Sequence, residues 1–190
     1  MTEVLGLKND SVSCIQLEKV LNTSISHPNL DVFLSKRDGT YIAIESEFTE
    51  WISKSKKDIK PNYFSDNGNL IKRWDLVGLP NCQKIEEDYK NGNLRFHRLD
   101  VPQLLKHALG IGYTERIVAD LWYIYFDLTD KSLIKKEHDN EIKMFSDLMG
   151  DELNFKAISY QKMFENMLKY KNNIDIAYID YLEVRYFPQL

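Results

Sequence analysis

Glu45 and Glu47 lie two residues apart in a stretch, 40–48, where Ile42, Ile44 and Phe48 alternate with Tyr41, Ala43 and the two glutamates. Side chains two apart on a strand point to the same side, so the carboxylates share one face and the isoleucines take the other, core-directed one. Asp31 belongs to the preceding alternating stretch, 30–35, where Leu30, Val32 and Leu34 alternate with Asp31 and Phe33. Between the two, Lys36-Arg37-Asp38-Gly39 supplies a hairpin turn, with Asp-Gly the informative pair. A short hairpin lets the Asp31 carboxylate converge with that of Glu45. Acidic groups gathered on neighbouring strands repel one another unless a cation lies among them, and hard oxygen ligands of this kind suit Mg²⁺ or Mn²⁺. The same pattern also describes a solvated hairpin face carrying ordinary charges.

The elements around the hairpin are read from hydrophobic spacing. Residues 11–21, with Val12, Ile15, Leu17 and Val20 apolar, suggest a helix capped by Ser11 or Ser13. Ser26-His27-Pro28-Asn29 is a turn. Residues 51–93 hold Lys54, Lys56, Lys57 and Lys60, then Pro61, Gly68, Gly78 and Pro80. They read as an irregular insertion with short helices near 70–77 and 84–89. Asp100 caps a helix with Pro102 in its first turn, apolar Leu104, Leu105, Ala108 and Leu109, and Gly110 as its stop. The nearly unbroken apolar run 117–126 fits a central strand covered on both faces. Helical patterns follow at 140–148, 159–169 and 174–187.

With 190 residues and no repeat or linker, one domain spanning 1–190 is expected. Hydrophobic residues are 43% and charged residues 28%, as in globular proteins rather than disordered ones. No apolar run reaches the length of a membrane span and no leader pattern is seen at the start, so a cytoplasmic protein without membrane partners is expected. Cys14 and Cys82 are too few for a disulfide framework or a four-cysteine zinc site. A net charge of −4 tells against a purely electrostatic DNA binder, but not against a nucleic-acid enzyme whose metal ligands are themselves acidic. Gly-rich phosphate loops, G-x-S-x-G and H-E-x-x-H are absent from the sequence.

Several stretches resemble the PD-(D/E)xK nuclease superfamily, and more narrowly its bacterial restriction endonuclease-like members. They are Pro28-Asn29-Leu30-Asp31, then Ile44-Glu45-Ser46-Glu47-Phe48-Thr49-Glu50, and Gln103-Leu104-Leu105-Lys106-His107-Ala108-Leu109-Gly110. The strand at 121–127 and the closing 181–186 are also similar, while 51–93 matches least. The resemblance implies an α/β fold: an α-β-β-β-α-β core with a mixed central sheet flanked by helices. It implies a Mg²⁺- or Mn²⁺-dependent DNA endonuclease in which Asp31, Glu45 and the Ser46 carbonyl ligate the metal. Glu18, on the first helix, matches a further acidic ligand in relatives or is an exposed helix charge. Gln103 would face the active site and Lys106 would approach a phosphate.

Glu47 departs from the pattern, because the family usually has lysine there. A glutamate brings no positive charge, yet it can take a proton from water or hold a second metal. Three expectations therefore stand together: an active variant site, a cation relocated to Lys106, or a catalytically inactive nuclease-fold protein that binds nucleic acid or protein. Lys54, Lys56, Arg95 and Arg98 are candidate contacts to DNA backbone, or parts of a solvated face. His107 shares a helix face with Gln103 and Lys106, and reads on its own as a packing or surface histidine. The resemblance also allows a homodimer, which no residue in the sequence specifies.

Overall fold

Gly39, at φ +82°, makes the turn that the Asp-Gly pair promises, and Asp38 Oδ1 accepts hydrogen bonds from the Thr40 amide (3.0 Å) and hydroxyl (2.7 Å). The flanking strands are β2 (Asn29–Lys36) and β3 (Tyr41–Glu47), paired antiparallel with Val32 opposite Ile44 and Leu34 opposite Ile42. The structure is a computed structural model describing residues 5–7, 11–53, 58–66, 68–115, 119–128, 132–170 and 175–187.

The stretch expected as a first helix is a strand, β1 (Val12–Val20), antiparallel to β2 along the length of that strand. Two features decide against the helix. The open edge of β2 needs hydrogen-bond partners, and a tight return at 21–28 (Leu21 N–H to Pro28 O, 2.9 Å; Thr23 N–H to Ser26 O, 3.1 Å) delivers the preceding residues alongside it. The α-β-β-β-α-β order is thus corrected at its first element. Glu18 stands on this strand and not on a helix.

After the hairpin come two 3₁₀ turns (Glu50–Ile52 and Pro61–Tyr63), a two-residue hairpin of β4 (Ser65–Asp66) and β5 (Asn69–Leu70), and α1 (Arg73–Leu76). Next are α2 (Pro80–Lys90), α3 (Val101–Glu115), β6 (Ala119–Tyr125), α4 (Leu133–Met149), a third 3₁₀ turn (Glu152–Asn154), β7 (Lys156–Ser159), α5 (Tyr160–Lys169) and α6 (Ile176–Tyr186). The result is an α/β chain with a five-stranded mixed sheet in the order β1-β2-β3-β6-β7. β3, β6 and β7 run parallel to one another, so the segment between β3 and β6 must cross over the sheet.

Both faces of the sheet's centre are covered, while β1 at its edge is mostly exposed. Phe33, Ala43, Leu121 and Tyr123 pack in one cluster with Leu104, Leu105 and Leu109 of α3, Ile85 of α2 and Phe145 of α4. Leu34, Ile42, Ile44, Trp122 and Ile124 form the opposite face, against Leu5 and half-buried Tyr160 and Met163 of α5. The irregular 51–93 region contributes to the core, since Trp51, Tyr63 and Trp74 are among the largest fully buried side chains.

Gly110 does not stop α3, which continues to Glu115. A methyl group at Gly110 would stand 2.6 Å from Leu21 Cβ, and one at Gly112 would stand 2.7 Å from Val77 Cγ2. These glycines let the helix lie close to its neighbours. Gly110→Ala therefore sets two effects against each other. Helix propensity favours alanine by about 1 kcal/mol. The clash falls on the Cβ of a fully buried leucine, which no side-chain rotation relieves, and overpacking of this kind costs about 1–3 kcal/mol. The expected result is net destabilisation, read as a lower urea midpoint at unchanged slope.

Glu86 on α2 is 2% exposed; its Oε2 accepts from Gln83 Nε2 at 2.8 Å, and its Oε1 has no hydrogen-bond partner among the described residues. Burial pushes this carboxyl up to about 7. The folded chain holds the proton more tightly than the unfolded chain, so stability falls as pH rises from about 4.5 through 7 and then levels off. Glu86→Gln removes that part of the fall. It is expected to match the native chain near pH 4.5 and to exceed it at pH 8 by up to about 3 kcal/mol in urea titrations.

Candidate functional site

The ladder between β2 and β3 closes with Val32 opposite Ile44, and one step further in the same register Asp31 stands across from Glu45. There the pairing stops, and the Asp31 side chain takes the place of a strand: its Oδ2 accepts the Ser46 amide at 2.8 Å. A residue's N–H and C=O point to the same side of a strand, so the Ser46 carbonyl is directed to the Asp31 side as well. Leu17 pairs with Val32 and Lys19 with Leu30, which sets Glu18 of β1 across from Asp31 in turn. Glu18 is exposed and takes a left-handed φ of +52°, a break in the edge strand. On the other flank Glu45 is paired with Tyr123 of β6. One row across the sheet thus reads Glu18, Asp31, Glu45, Tyr123.

The shared face of Glu45 and Glu47 is not solvated. Glu45 is 4% and Glu47 6% exposed, because α3 and α4 lie over that side. Parity along the strand predicts which side the carboxylates take; what covers it comes from residues 50 or more positions away. From α3, Gln103 Nε2 donates to Glu45 Oε1 at 2.5 Å. His107, one turn later and 1% exposed, places Nε2 2.8 Å from Glu45 Oε2. The two atoms are in ion-pair range, and the imidazole is the cationic partner that Oε2 faces among the described residues. Burial raises the Glu45 carboxyl above its ordinary value, opposed by His107 and reinforced by the negative charges of Asp31 and Asp100. Asp100 is itself buried and accepts the Gln103 amide at 3.1 Å, as a cap of α3.

Glu47 belongs to a second buried chain. The Tyr123 hydroxyl donates to Glu47 Oε2 at 3.3 Å and lies 3.0 Å from His138 Nε2 on α4. Tyrosine has one proton; given to Glu47, it leaves the hydroxyl oxygen to accept from Nε2–H, which makes Nδ1 the unprotonated nitrogen. Burial pushes His138 down to about 3, so the ring is neutral, and it stacks on Trp51 with centroids 4.0 Å apart. Burial and the neighbouring Glu47 push Tyr123 up, keeping the phenol protonated.

Of the expected site residues, Asp31, Glu45, Ser46 and Gln103 are brought together, with Glu47 two residues along the same strand. No family model, curated protein or solved structure matches this chain. The site therefore stands on its own geometry. Lys106 is half-buried on α3, where its neighbours Gln103 and His107 make the contacts to Glu45. Arg98 is corrected as a DNA contact: it is 7% exposed, with Nε on Glu137 at 2.9 Å and Nη1 on the Ile52 carbonyl, so its guanidinium serves the interior. Arg95 is exposed, with Nη1 bonded to the Tyr89 and Leu94 carbonyls. Lys54 and Lys56 lie outside the described residues.

Among the described residues no group of three or more His, Cys, Asp and Glu side chains stands ready to hold a metal ion. The pair Asp31 and Glu45 remains, with Oε2 of Glu45 turned to His107 and the Ser46 carbonyl on the Asp31 side. Two carboxylates and a carbonyl, completed by water, match the way Mg²⁺ is commonly held. A cation there would also relieve the crowding of Asp31, Glu45 and Asp100. No helix among the described residues is long and apolar enough to cross a membrane.

Sequence reading underweighted His107 and missed Tyr123, His138 and Glu141. The last two were findable: His138 and Glu141 fall on the same stripe of α4 as Phe145 and Met149, and polar residues on an apolar stripe mark buried work.

Proposed function

We propose that this chain is a divalent-cation-dependent endonuclease of the restriction endonuclease-like type, hydrolysing phosphodiester bonds in DNA. The observation that carries the reading is the meeting of Asp31 and Glu45 across the end of the β2–β3 ladder, with Gln103 supplied by a helix of the following crossover. Strand register supports the reading, beside the motifs from which the resemblance was drawn.

In this reading Asp31, Glu45 and the Ser46 carbonyl hold Mg²⁺ or Mn²⁺. When bound, the ion supplies charge stabilisation at the phosphate and a more acidic water. Gln103 fixes the direction of the Glu45 carboxylate, and His107 places a charge-compensating ring on its far oxygen. Glu47, held by the Tyr123 hydroxyl, accepts a proton from the attacking water. That role needs a carboxylate in a fixed orientation, and the Tyr123 hydroxyl, held by His138 on its Trp51 stack, is suited to provide one.

A second reading, a nuclease-fold protein that binds nucleic acid or protein without cutting it, is favoured by the deep burial of Glu45 and Glu47. Incubation of the full chain with supercoiled plasmid and Mg²⁺ or Mn²⁺ separates the two. Cleavage lost in Asp31→Ala, with Mn²⁺ binding lost in calorimetry, supports the hydrolase. A chain that neither binds Mn²⁺ nor cuts overturns the hydrolase reading.

A further inference from the structure

α6 docks on one side and shows a second apolar side to no other element among the described residues. Ile179 is buried, and Leu182 and Tyr186 are half-buried, in the cluster with Phe164, Met167 and Phe187. These positions, at i, i+3 and i+7, make one stripe of the helix. The opposite stripe is Ala177, Tyr181 and Val184, with Tyr181 50% and Val184 79% exposed. The same three residues, with Asp180 and Arg185, line a shallow depression of about 580 Å³. An 11-residue helix with apolar side chains on both sides is the pattern of a helix that packs twice.

The charges beside the outer stripe say what fits on it. Asp180 directly precedes Tyr181 and Arg185 directly follows Val184, so they flank the stripe on its two sides, five residues apart. When two parallel helices meet along such a seam, the residue flanking it on one helix faces the residue five positions further along the other. Asp180 of one copy then meets Arg185 of a second copy, and the reverse contact forms by symmetry. In an antiparallel pair, like charges would meet instead. The outer face of α6 is therefore complementary to itself in one orientation.

We propose that two copies of this chain associate through α6, as a parallel helix pair about a two-fold axis, with Ala177, Tyr181 and Val184 in the seam and two Asp180–Arg185 contacts beside it. The association needs no hydrolase activity. With so short a seam it is concentration-dependent.

Sedimentation equilibrium of the full chain from about 5 to 500 μM, a range bracketing a weak dimer, is expected to show a monomer–dimer equilibrium. Asp180→Arg and Arg185→Asp each turn two attractive contacts into repulsive ones. Each variant is expected to weaken association about tenfold, as is usual for a pair of such reversals. Mixing the two variants restores it, because every contact in the mixed pair joins opposite charges again. Val184→Glu abolishes association while far-UV circular dichroism stays unchanged, since the side chain touches solvent in the single copy. A monomer at every concentration overturns the proposal. So does a dimer indifferent to Val184→Glu, or a mixture that associates no better than either variant alone.

Discussion

Replacing Glu141 by alanine is expected to cost about 3–5 kcal/mol of stability, a range typical of stripping a buried, fully bonded charge from its partners. Glu141 on α4 is 5% exposed. Its Oε1 accepts the amide of His97 at 2.7 Å, and its Oε2 accepts those of Arg98 at 2.8 Å and Leu99 at 2.9 Å. Three consecutive backbone N–H groups thus depend on one carboxylate. Truncation to alanine leaves the buried Arg98 and Leu99 amides without acceptors, so the loss comes from stranded donors more than from the bonds themselves. For a chain of this size that loss lowers the thermal midpoint by roughly 10 °C. Glu141→Gln keeps one acceptor oxygen but turns an amide N–H₂ on the remaining donors, so it falls between the two. The same segment leads into Asp100 and α3, and α3 carries Gln103 and His107 to Glu45. Glu141→Ala is therefore expected to loosen the site as well as the fold, seen as faster amide exchange at the first turn of α3 in variants that remain folded.

That dependence also explains what the sequence makes legible. The hairpin of Asp31 and Glu45 is local: Asp38-Gly39 sets the turn, the turn sets the register, and alternation sets the shared face of Glu45 and Glu47. Nothing beyond residues 29–47 is needed to place those carboxylates. The central strand β6 is legible for the same reason, because its apolar run reports burial on both faces. β1 is not. The spacing of Val12, Ile15, Leu17 and Val20 suits a helix as well as a strand, and the outcome turns on the free edge of β2, a property of another segment. Gly110 is likewise ambiguous, since a glycine that ends a helix and one that lets a helix approach Leu21 have the same letter. The surroundings of Glu45 are the least local part. His107, Tyr123 and His138 reach the two glutamates from α3, β6 and α4, and which of them meets which glutamate is set only when the sheet brings the strands together.

Glu45→Gln tests the site with the smallest change of shape, and its two expected effects have opposite signs. The amide fills the same volume and keeps an oxygen for Gln103 Nε2, while its N–H₂ faces the His107 ring. Packing is therefore preserved. A carboxylate 4% exposed, whose proton the burial favours, is costly to keep ionised. Removing it should raise the urea midpoint at pH 8, with a smaller gain toward pH 4.5, because the folded state holds this proton more tightly than the unfolded chain does. Function should move the other way. If Glu45 holds the divalent cation, the neutral amide loses one of two anionic ligands, and Mn²⁺ binding in calorimetry should vanish. Plasmid cleavage should fall by about a hundredfold or more, as expected when a metal's charge stabilisation is lost. Greater stability with lost binding is the signature of a group retained for chemistry at the expense of the fold. A variant more stable than the native chain and equally able to bind Mn²⁺ would instead make Glu45 a buried core carboxylate, and would leave Asp31 without its partner.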